Sequence, residues 1–129
     1  MIAKISSTEN LRGALGYNFK KVKKEEASIL LTQGLYQNKE GTYTMEDVLA
    51  DMETLIPKNC RTKKTVFHCS LNPHPDEKLS DETLSQIAKE YMEALGYGKQ
   101  SYIVFKHNDI AREHIHIVSL RINGEGKKI

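Results

Sequence analysis

Two β-rich runs close this chain, Ser101–His107 and His114–Ile122, and only Asn108–Glu113 joins them. So short a link leaves no room for a crossover helix, and the two strands are expected to pair antiparallel. Strand side chains alternate between faces, which puts His114 and His116 on one face, about 7 Å apart along the strand. Ile115 and Ile117 fall on the other face, where helices can bury them. The rest of the chain has to build around a hairpin that is apolar on one side and rich in imidazole on the other.

Upstream, helical and strand periodicities alternate, with no internal repeat, low-complexity tract or linker. Ile2–Ile5 reads as a short first strand. Ser6, with Glu9 three residues on, forms a capping box for a helix through about Val22. Its apolar stripe is Leu11, Ala14, Leu15, Phe19 and Val22; Gly13 and Gly16 weaken it and point to an early break. Ala27–Leu35 reads as a strand and Asn38–Gly41 as a turn. Thr44 caps a second helix that turns Val48, Leu49, Met52, Leu55 and Ile56 inward with Met45, and Pro57 closes it. Lys64–Leu71 is β-rich and is broken by Asn72-Pro73-His74-Pro75. Ser80 starts a third helix carrying Leu84, Ile87, Ala88, Tyr91 and Leu95, ending at Gly96. The sum is an α+β domain: a central antiparallel sheet of about five strands with flanking helices.

A chain of 129 residues, 39% hydrophobic and 28% charged, forms one domain with one packed core. No apolar run approaches the roughly 20 residues that span a bilayer, and Met1-Ile2-Ala3-Lys4 does not open a signal peptide. A cytoplasmic protein with no membrane partner is expected. The hydrophilic turn Asn123–Ile129 reads as a cut, making residues 1–129 the N-terminal part of a longer protein. Cys60 and Cys69 form no Cys-x-x-Cys pair and read as reduced, structural thiols.

The net charge of +2 is too small to argue for nucleic acid, but its distribution is informative. Arg12–Lys24 carries five basic residues and no acidic one, whereas Thr44–Ile56 carries Glu46, Asp47, Asp51 and Glu53 with no basic one. A basic first helix beside an acidic one favours an anion on one face. If that first helix persists, Tyr17, Lys20, Lys21 and Lys24 fall at i, i+3, i+4 and i+7, a polar row opposite the apolar stripe. Ammonium groups there attract phosphate and favour a phenolate nucleophile.

Three of the five histidines lie in HNDIAREHIHIV, residues 107–118. His107 ends its strand and can join His114 and His116 as a third nitrogen donor. Three imidazoles at metal–nitrogen distances of roughly 2.0–2.2 Å leave positions open, the layout of a catalytic rather than a structural site. Asp109 is placed to orient one of these rings through a carboxylate.

These segments resemble a known family. HNDIAREHIHIV is similar to the third motif of the relaxase/mobilisation nucleases, which belong to the endonucleases named for paired histidines around a hydrophobic residue. His114-Ile115-His116 matches that pair, and His107-Asn108-Asp109 the upstream His-x-Asp. GALGYN, Gly13–Asn18, resembles the first motif, whose tyrosine is the nucleophile and maps to Tyr17. FHCSLNPHPDEKLSDE, Phe67–Glu82, resembles the middle motif; in it His68 and Ser70 can touch DNA or the site, and alternation leaves their facing open.

The resemblance implies a sheet that carries the metal ligands, a tyrosine on a facing helix, and a divalent cation, usually Mg²⁺ or Mn²⁺. It implies strand-specific nicking and rejoining of single-stranded DNA at an origin of transfer in plasmid or transposon mobilisation. The route is a 5′-phosphotyrosine, and accessory mobilisation proteins are further partners. Arg12, Lys20, Lys21 and Lys24 are then the DNA-binding residues. A rolling-circle replication initiator or single-tyrosine transposase shares the chemistry but typically has its tyrosine after the histidine pair. A non-catalytic nucleic-acid-binding module on the same scaffold would show steep salt dependence without cleavage. A metal-dependent hydrolase of small molecules fits the histidines but not the lysine row.

Overall fold

The computed structural model describes residues 1–108 and 113–129. Eight elements follow one another: β1 (Ile2–Thr8), α1 (Leu11–Lys23), β2 (Ala27–Gln33), α2 (Met45–Thr54), β3 (Val66–Asn72), α3 (Asp81–Ala94), β4 (Tyr102–His107) and β5 (His114–Leu120). The strands form one sheet in the order β1-β3-β5-β4-β2, and every neighbouring pair is antiparallel. The expected closing hairpin is β4–β5, and it occupies the middle of the sheet with a partner strand on each side.

Alternation along the central strands sorts their side chains into two cores. Cys69, Leu71, Val104, Ile115 and Ile117 pack with Leu84, Ala88 and Met92 of α3 on one face. Val66, Ile103, Phe105 and Val118 pack with Leu11 and Leu15 of α1 and Val48, Leu49 and Met52 of α2 on the other. Helices on both faces explain why β4 and β5 are buried almost throughout. Caps predicted from the sequence at two helices are present: the Thr44 side chain accepts from the Asp47 N–H and that of Ser80 from the Thr83 N–H.

The first helix begins later than the capping box predicted. Ser6 stays in β1, opposite His68 in register, because pairing with β3 satisfies the backbone there as far as Thr8. The cap is Asn10, whose side chain accepts the Gly13 N–H at 2.8 Å. Glycine leaves room for that cap: a Cβ on residue 13 would lie 2.3 Å from Asn10 Nδ2 and push the capping side chain aside. Gly13 therefore serves the cap rather than breaking the helix, and α1 runs unbroken to Lys23. β2 is shorter than predicted, stopping at Gln33 where Gly34 turns the chain at φ +67°. Beyond β5 the chain folds back on itself, with Ile122 bridging to Lys128. Cys60 and Cys69 are both free thiols, and burial pushes the Cys69 thiol above its ordinary pKa.

Candidate active site

The β4–β5 register sets His107 directly opposite His114, and His116 opposite Phe105. Phe105 belongs to the core beneath α1 and α2, so the three histidines face the same helices. Their rings stand close together: centroids are 4.0 Å apart for His107–His116, 5.0 Å for His114–His116 and 5.2 Å for His107–His114. One potential ligand atom from each lies within 4.8 Å of the others. The cluster is recessed, with His107 wholly buried and His116 only 9% exposed.

The donor chemistry of this cluster fits a cation. Nδ1 of His107, Nδ1 of His114 and Nε2 of His116 are all shielded from solvent, and among the described residues none hydrogen-bonds the His114 nitrogen. A buried imidazole nitrogen left that way carries a desolvation cost that a metal would remove. His68 lies on the same face, since Ser70 pairs with His116 and His68 with Val118. His68 Nε2 is 3.1 Å from His116 Nδ1, a hydrogen bond between rings. Burial pushes the His68 pKa below its usual value, which favours the neutral ring. Alternation alone could not assign that facing; the strand register does. Ser70 is beside the cluster, its hydroxyl accepting from Asn72 Nδ2. Asp109 lies outside the described residues.

Tyr17 reaches this cluster from α1. Its ring is stacked 6.1 Å from that of His107 and lies 6.4 Å from that of His116, while remaining 52% exposed. Ser6, Thr8, Asn10, Gly13, Ala14 and His68 join Tyr17 around an open cleft of about 380 Å³ beside the histidines. Lys21 stands with its ammonium 5.8 Å from the Tyr17 ring centroid and pairs with Glu26 at 3.2 Å. Lys20 is exposed in the same turn, and Lys24 is the C-cap, past the last helical residue. Arg12 is not brought to the cleft: it meets Glu46 of α2 at 3.2 Å across exposed surface.

A profile for the family described as Relaxase: MobA/VirD2-like, nuclease domain, matches residues 17–129. The chain is a member of this relaxase family. Its antiparallel sheet, α+β layering and helix-borne tyrosine facing paired histidines agree with what the family resemblance implied. DNA nicking in mobilisation is the general activity of such nuclease domains. No curated protein and no solved structure matches the chain. No helix among the described residues of this relaxase domain is long and apolar enough to cross a membrane.

One residue of the site escaped the sequence reading. Asn18 is wholly buried, and its side-chain oxygen lies 2.7 Å from His107 Nε2. A signal was present: Leu11, Leu15, Asn18 and Val22 follow at i, i+4, i+7 and i+11, so an amide interrupts the core-facing stripe of the relaxase's first helix. A buried amide in such a stripe needs a polar partner.

Proposed function

We propose that this relaxase domain nicks and rejoins one DNA strand at an origin of transfer through a covalent 5′-phosphotyrosine on Tyr17. The observation that carries the reading is the approach of the Tyr17 ring to His107 and His116, at 6.1 and 6.4 Å. An attacking phenol and a charge-neutralising centre can then act on the same phosphorus. His107, His114 and His116 are the residues to hold a divalent cation, Mg²⁺ or Mn²⁺ by family habit, though nitrogen donors favour a softer first-row ion. The chemistry a cation supplies there is charge neutralisation at the non-bridging oxygens of the attacked phosphate.

The chain's own residues account for the rest. Single-stranded DNA enters the cleft beside Tyr17, with Lys20, Lys21 and Lys24 attracting its phosphates and Arg12 an outlying contact. The Tyr17 oxygen attacks phosphorus in line, the P–O3′ bond breaks, and a tyrosyl–phosphate ester forms. The half-exposed phenol gives its proton to solvent, and the departing 3′ oxygen takes one up. One phosphoester replaces another, so the 3′-hydroxyl can attack back and rejoin the strand. His68 holds His116 by accepting its Nδ1 proton, leaving Nε2 for the cation. The setting is cytoplasmic DNA, with accessory mobilisation proteins as further partners.

The test incubates the domain with origin-containing single-stranded oligonucleotides, with and without Mn²⁺, and looks for a covalent protein–DNA band. Wild type should form it only with metal. Tyr17→Phe should abolish it while keeping metal and DNA binding nearly intact. A band from that variant would remove Tyr17 as the nucleophile; DNA binding without cleavage by wild type would favour a non-catalytic module.

A further inference from the structure

Asn18 follows Tyr17 directly, so the two side chains leave α1 about 100° apart. The phenol takes the cleft side and the amide the core side, where no solvent reaches it. Both ends of the amide are engaged. Nδ2 donates to the Ala14 carbonyl at 2.9 Å, and Oδ1 lies 2.7 Å from His107 Nε2.

These two contacts together assign a proton. A carbonyl oxygen only accepts, so the amide atom facing Ala14 is the NH₂ group. The atom facing His107 is therefore the amide oxygen, which also only accepts. His107 Nε2 must carry the hydrogen, and a neutral ring then has its lone pair on Nδ1. Nδ1 is the buried nitrogen on the other side of that ring, and the His107 ring is 4.0 and 5.2 Å, centroid to centroid, from those of His116 and His114. The opposite tautomer would set two acceptors against each other at 2.7 Å. A ring flip would replace the N–H donor with a carbon.

We infer that Asn18 is a positioning residue: it fixes His107 as the Nε2–H tautomer and aims Nδ1 at the cluster. By the same bond it ties the helix bearing Tyr17 to the strand bearing a ligand. The metal part of this inference rests on the reading of the three histidines as a cation site. The tautomer part concerns the metal-free protein and stands without it.

Two substitutions separate positioning from mere packing. Asn18→Leu keeps the shape and removes both polar partners. Asn18→Asp keeps an acceptor for His107 but sets a carboxylate oxygen against the Ala14 carbonyl, which weakens the fold. Positioning predicts opposite orders in two measurements. Thermal unfolding should leave Asn18→Asp the less stable of the two. Co²⁺ titration followed by its visible absorption should leave Asn18→Leu about 10–100-fold weaker than wild type, with Asn18→Asp close to wild type. Long-range ¹H–¹⁵N NMR of the metal-free protein should find wild-type His107 protonated at Nε2, and a tautomer mixture in Asn18→Leu.

Folded Asn18→Leu that binds Co²⁺ within about twofold of wild type would overturn the metal part, as would affinities that follow stability. Wild-type His107 protonated at Nδ1 would overturn the tautomer assignment itself. If wild type takes up no Co²⁺, the histidine cation site of the proposed function fails, and the NMR result alone then decides the role of Asn18.

Discussion

Replacing Lys106 by methionine should destabilise the domain by about 0.5–1.5 kcal/mol, a range set by the exposure of its partners. Lys106 leaves β4 on the α3 side, with its ammonium 2.6 Å from Asp81 at the start of α3 and 2.7 Å from Glu113. Glu113 immediately precedes His114, so the lysine ties a helix end to the entry of the strand that carries His114 and His116. Hydrogen bonds to Asp81 and then to Glu113 raise the lysine pKa above its ordinary 10.5, against burial, which acts the other way. The lysine side chain is only 19% exposed, but the carboxylates are 59% and 45% exposed. Water around them screens the attraction, so each pair counts as a surface pair of about 0.2–1 kcal/mol. Methionine keeps most of the packing of the lysine stem.

The pH dependence of that difference has a definite sign. A lysine whose pKa is higher folded than unfolded contributes fully below 10.5, and the contribution fades as pH rises through the folded value. Urea unfolding of wild type and Lys106→Met should therefore give a constant gap near neutral pH. The gap should close in the alkaline range above 10.5, the ordinary lysine value. No gap at neutral pH, or one that persists undiminished at strongly alkaline pH, would refute the ion-pair account.

Three further outcomes are expected. Asn10→Ala should cost about 1 kcal/mol in urea unfolding by removing the α1 cap, whereas Ser6→Ala should leave the helix terminus unaffected. His68→Phe, which removes the ring bonded to His116, should weaken Co²⁺ binding about 10-fold or more with little loss of thermal stability; unchanged affinity would deny His68 an orienting role. His114→Ala, like chelation of wild type with EDTA, should abolish covalent adduct formation on a gel, and an adduct surviving both would exclude a metal-dependent reaction.

The sequence made the centre of this protein legible because two strong periodicities meet there. His114-Ile115-His116 alternates by strand geometry, and its pairing with His107 needed only a link too short to cross over. Thr44 and Ser80 were readable as caps because each stands alone before an apolar helical stripe. Ser6 was misread for a tertiary reason: the capping-box pattern is local, but a partner strand some sixty residues away, beginning at Val66, holds Ser6 in β1. The facing of His68 was likewise invisible, since the parity of one strand has no meaning until its register against β5 is known. Asn18 was hidden by the habit of reading a helical stripe through its apolar members, when the informative residue was the polar one.

The hydrogen bond between Asn18 and His107 joins positions 89 residues apart. The cleft is lined from β1, α1 and β3, and the histidines beside it come from β4 and β5, so elements spread over most of the chain must be in place before the site is assembled. Contacts this distant in sequence form late and slowly. Until β5 joins the sheet, Tyr17 has no His116 ring beside it and the three-histidine cluster is not assembled.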